Sequence, residues 1–107
     1  MALFVVEYTY DHTLDSLLET FRPAHRQFLR ELHEQGILVA SGFLKDGTCK
    51  DALLIIRSES VPDVHRILAD DPFGVQGFVS ATRIREWVPT FGDLAQGFDT
   101  EFQAPLP

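Results

Sequence analysis

Cysteine is almost missing from this chain. Cys49 is the one cysteine in 107 residues, which excludes an internal disulfide framework and any multi-cysteine zinc centre. Basic side chains are scarce as well: 9 Lys and Arg stand against 16 Asp and Glu, for a net charge of −7. Binding nucleic acid or an anionic membrane takes clustered positive charge, so neither partner is expected. No apolar run approaches the ~20 residues of a membrane-spanning helix. The opening MALFVVEYTYDHT has no basic n-region and no small-residue cleavage pattern, so a cytoplasmic location is expected. There is no Walker A loop, no dinucleotide-type glycine pattern, no Gly-x-Ser-x-Gly elbow and no His-x-x-x-His pair. Neither a cofactor nor a metal is therefore expected.

What is present is a globular composition, 45% apolar and 23% charged, at a length that suits one domain. Residues 3–9, LFVVEYT, read as a strand. From 14 to 35 the apolar residues recur at helical spacing: Leu14, Leu17, Leu18 and Phe21, then His25, Phe28, Leu29 and Leu32. Pro23 suits only a first helical turn, so the main helix is expected to start near Thr20–Arg22, with 14–20 a separate turn. Gly36 is its expected stop. Residues 37–43 form a second strand, 45–51 a turn around Asp46-Gly47, and 52–57 a third strand, making a hairpin. Ser60 and Asp63 have the spacing of a capping box ahead of a second helix that Asp70-Asp71-Pro72 breaks. Residues 78–88 form the fourth strand.

The order β-α-β-β-α-β predicts a ferredoxin-like α+β fold over 1–89: a four-stranded antiparallel sheet with two helices on one face. The other face also carries apolar residues, which predicts a homodimer packed sheet to sheet. Residues 90–107 make an acidic tail with Phe91, Phe98 and Phe102, expected to lie over the domain or its partner.

Three positions stand out chemically. His25 sits on the apolar stripe and faces the sheet; it is either a proton carrier or a core histidine satisfied by a backbone carbonyl. Asp71 either starts a turn ahead of Pro72 or orients a histidine from a rigid corner. Arg22 either holds an anionic group near a helix start or pairs with Glu19. His12, His33 and His65 fall in a loop and on solvated flanks, and Cys49 is expected to be exposed and dispensable.

Arg22-Pro23-Ala24-His25, then the Gly36–Gly42 stretch GILVASG, then Asp71-Pro72-Phe73, taken in order, resemble the YCII-related (YciI-like) family over residues 1–89. The resemblance implies a dimeric α+β barrel and a site built on a His–Asp pair, which maps to His25 and Asp71 as catalytic residues. Arg22, Ser41 and Phe73 are the substrate-binding candidates. One branch of the family looks like dehydrochlorinases of chlorinated hydroxyquinols. The family pattern has Pro after the second-strand glycine, where this chain has Phe43. The reading that follows is a cofactor-independent enzyme moving a proton, by isomerisation or HX elimination, on a small aromatic or lactone-like molecule. The alternative is a non-catalytic small-molecule-binding or assembly domain. A third reading has the domain modify a partner enzyme through its tail.

Overall fold

Alternation along the first strand sets the plan of the molecule. In β1 (Ala2–Tyr10), Phe4, Val6, Tyr8 and Tyr10 point to one face and are all buried. In β3 (Cys49–Ser58), Ala52, Leu54, Ile56 and Ser58 do the same. The antiparallel register sets Phe4 opposite Ile56, Val6 opposite Leu54 and Tyr8 opposite Ala52, so the two stripes merge into one apolar surface. β2 (Leu38–Asp46) pairs with β3, and β4 (Val79–Trp87) pairs with β1. The strand order is β2-β3-β1-β4, all antiparallel, which is the ferredoxin-like arrangement. The computed structural model describes residues 1–95.

Helices α1 (Asp15–Glu34) and α2 (Val61–Leu68) cover that surface. α1 contributes Leu18, His25 and Leu32 to the buried set, and α2 contributes Val64 and Leu68. Ser60 caps α2 by accepting the Asp63 N–H at 3.2 Å. Asp63 does not return a bond to Ser60, as a full capping box requires. Its carboxylate takes the Ser58 hydroxyl and Arg66 instead, and these hold it below the ordinary carboxylate range.

Three expectations are corrected. α1 is one helix of 20 residues with Pro23 inside it, not two pieces. An interior proline costs about 3 kcal/mol because it has no N–H for the carbonyl four residues back. Here that carbonyl belongs to exposed Glu19, where water can reach it, while Leu18 and His25 bury on the sheet either side of Pro23. The hairpin is tighter than expected: strand pairing runs to Asp46 opposite Cys49, leaving only Gly47 and Thr48 in the turn. Gly47 has φ of 62°, which a two-residue turn with glycine in its first central position requires. Finally, the chain does not simply break after α2. It forms a further helical turn, α3 (Pro72–Val75), which positions the site.

Beyond β4, a 3-10 turn at Asp93–Ala95 ends with Ala95 buried. Phe91 is 71% exposed, so it does not anchor the tail on its own domain. Phe98 and Phe102 lie outside the described residues.

Candidate functional site

The site begins with a helix cap. Asp71 precedes Pro72, and its Oδ1 accepts the Phe73 N–H at 3.0 Å, capping α3. That cap turns the carboxylate into the interior, beneath α1. There the same Oδ1 meets His25 Nδ1 at 2.8 Å, although 46 positions separate the two residues. The other oxygen, Oδ2, accepts the Tyr8 hydroxyl at 3.0 Å. Asp71 is 0% exposed and His25 5%.

Counting donors assigns the imidazole. Both Asp71 oxygens already accept a hydrogen bond, Oδ1 from the Phe73 N–H and Oδ2 from the Tyr8 hydroxyl, so Nδ1 is the donor toward Oδ1 and Nε2 is the nitrogen left for the cavity. The ring cannot swing, because Phe73 lies flat against it, with centroids 4.0 Å apart and planes 6° off parallel. Burial first, and then the Asp71 charge, push the Tyr8 phenol far above its ordinary range, so Tyr8 stays a donor. Tyr10 is raised for the same two reasons, partly opposed by Arg22.

His25 opens onto a cavity of about 230 Å³. Arg22, Arg26 and Leu29 of α1 form one wall, and Ser41, Gly42 and Phe43 of β2 form the other. Ala52 and Leu54 of β3 and Tyr10 of β1 complete it. The Arg22 guanidinium carbon stands 5.4 Å from the Phe43 ring centre and 5.7 Å from that of Phe73. Arg22 also pairs with Glu19 through Nε and Nη2, at 3.1 and 2.9 Å. Both readings of Arg22 thus describe one conformation: it is paired, and it lines the cavity.

Of the five residues singled out in the sequence, His25 and Asp71 are in contact, and Arg22 and Ser41 line the cavity. Phe73 is placed differently from expectation. It is fully buried behind the imidazole and is not part of the cavity wall, so it supports His25 and has no access to a ligand. Cys49 is exposed. Tyr8 and Tyr10 were missed. Their signal was the inward alternation of β1, which ends in two phenols where apolar residues were the default. His12 was also missed. It bridges Asp15 and Asp51, each at 3.1 Å, and Asp51 accepts the Tyr10 N–H at 3.0 Å. Among the described residues no cluster of three or more His, Cys, Asp or Glu can hold a metal ion, and no helix is long and apolar enough to cross a membrane.

A model of the YCII-related domain matches residues 1–88. The chain belongs to the YCII-related domain family. Among solved structures, this YCII-related domain is similar to 5-chloro-2-hydroxyhydroquinone dehydrochlorinase from Burkholderia phenoliruptrix AC1100, in complex with 2,5-dihydroxybenzoquinone. The TM-score is 0.69 at 25% identity, covering 79% of this chain and 92% of the other. No curated protein sequence matches.

The electrostatics of His12 give a pH signature. Its bonds to Asp15 and then Asp51 raise its pKa above the ordinary histidine value. A raised folded pKa gives stability that is complete below the unfolded value of about 6.5 and is lost as pH rises through the folded one. Thermal unfolding of the wild type should show that loss in this window, and His12→Gln should remove this contribution. A wild-type and variant difference that stays constant with pH would contradict it.

Proposed function

We propose that this YCII-related domain is a cofactor-independent enzyme that moves a proton on a small hydroxylated ring, with His25 as the base. The observation that carries this reading is the buried 2.8 Å contact between His25 and Asp71 with a cavity on the far side of the imidazole. Nε2 takes the proton, Asp71 stabilises the imidazolium that forms, and Phe73 holds the ring in place. Arg22 and the Tyr10 hydroxyl receive a ring oxygen that gains negative charge, and Ser41 borders the same space. In an HX elimination from the keto tautomer of a halogenated hydroxyquinol, whose halogen-bearing carbon also carries a hydrogen, His25 takes a ring hydroxyl proton, the O–H pair becomes a quinone C=O, the ring double bond shifts onto the halogen-bearing carbon, and the halide departs with its own pair. The similarity to a dehydrochlorinase bound to a dihydroxybenzoquinone supports this substrate class. A binding-only role makes no use of an oriented proton acceptor.

The test is halide release from chlorinated hydroxyquinols, followed beside the absorbance of the quinone product. His25→Asn should lower turnover by about 10²–10⁴, the usual contribution of general acid–base catalysis, while the ring still binds. Asp71→Asn should fall in the same direction. Unchanged turnover in His25→Asn would overturn the reading.

We further propose that a second copy of the chain covers the open sheet face. That face carries Val5, Leu53, Ile55, Leu44 and Trp87, the last two 41% and 36% exposed, while α1 and α2 pack on the opposite face. Packing such a patch on itself about a two-fold axis buries both copies at once. Light scattering at micromolar concentration should give twice the chain mass; a monomer mass would refute it.

A further inference from the structure

The basic side chains of this acidic protein are not spread evenly. Arg22, Arg26, Arg30 and His33 recur at intervals of four, four and three along α1. At about 100° per residue they fall within one stripe of the helix. Arg22 and Arg26 line the cavity in front of His25. Arg26, Leu29 and Ser41 also line a second space of about 360 Å³, which continues along α1 past Leu38 to Arg30, His33 and Glu34. The cavity and the groove are therefore adjacent, with three residues in the wall of both.

Size and charge both bear on what fills them. The inner cavity, at about 230 Å³, is below the ~300–1,000 Å³ of a small-molecule site, and the groove brings it into that range. Leu29 and Leu38 give the connecting stretch an apolar floor, while its outer end carries Arg30 and His33. Among the described residues Arg30 is engaged only by a 3.3 Å bond to the neutral Gln27 amide oxygen. Glu34 at the rim favours a single negative charge over a dianion. From His25 to His33 the helix rises about 12 Å at 1.5 Å per residue.

We propose that the groove is a second binding subsite, and that the substrate is a ring at His25 joined by a short apolar chain to a carboxylate held by Arg30 and His33. This rests on His25 being the working end of the cavity. The outer subsite adds affinity and selects among ring compounds; the ring end carries the chemistry. A chain of three or four carbons matches the span between the two ends.

Three probes test it by calorimetry on the full chain: 4-methylcatechol, 4-(3,4-dihydroxyphenyl)butanoate and the matching butanamide. The acid should bind about five- to tenfold tighter than the other two, as expected for a paired charge at a partly exposed site, and the gain should shrink as salt is raised. Arg30→Gln/His33→Gln should abolish the gain and leave 4-methylcatechol binding unchanged. Equal binding of acid and amide, or a gain that survives the double variant, would overturn the subsite. Replacing the carboxylate by a phosphonate should lower the gain, and a phosphonate that binds tighter overturns the choice of anion. If the gain is present but His25→Asn leaves binding and chemistry at the ring end unchanged, the groove stands and the catalytic reading falls. If no probe binds, both fall.

Discussion

A carboxylate with no access to water governs this molecule. Removing Asp71 from solvent costs several kcal/mol if it is left uncompensated. Three donors compensate it, each from a different element: the Phe73 N–H of α3, the Tyr8 hydroxyl of β1 and the imidazole of α1. That requirement ties the first strand, the long helix and the turn after α2 to one another at a single point. It also fixes the direction of His25. An imidazole bonded through Nδ1 and stacked on Phe73 has one nitrogen and one outlook left, the cavity. The same interaction that holds the fold together at this corner orients the group proposed to do chemistry. Outright removal of either partner therefore disturbs structure as well as the proposed chemistry, since it strands the other half, whereas an amide in its place keeps part of the hydrogen bonding.

The charge distribution complements this centre. A chain with net charge −7 turns most of its acids outward and sets a row of arginines along the α1 wall of the cavity. Arg22 is held in place by Glu19 and by the rings of Phe43 and Phe73, so the cavity wall beside His25 carries a cation already positioned. Desolvated phenols at Tyr8 and Tyr10 add hydrogen-bond donors without adding charge.

Much of the fold was legible because the residues that build it repeat. The period of two in β1 and β3, the helical stripe from Leu18 to Leu32 and the Asp46-Gly47 turn each announce an element locally. Pro23 misled because proline's local preference was outweighed by burial on both sides of it, which no short window contains. His25 was legible as a histidine on an inward stripe, and Asp71 as an acid ahead of proline. Their contact across 46 positions was reached through a resemblance, since spacing alone cannot supply it. Tyr8 stayed hidden for the opposite reason: a tyrosine in a strand reads as core, and only the carboxylate opposite gives its hydroxyl a task. Phe73 carries the same lesson. Its neighbour Asp71 marks it for the site, but its ring packs behind the histidine.

The account depends most on which nitrogen of His25 carries the proton in the neutral ring. Two-bond ¹H–¹⁵N correlation spectra of the imidazole, assigned with His25→Asn, report this directly. The structure predicts the Nδ1–H form, with Nε2 as the acceptor facing the cavity, and a shift confined to Nε2 when a hydroxylated ring is added. An Nε2–H form would contradict it, because Asp71 would then meet a bare nitrogen and the cavity would face no base.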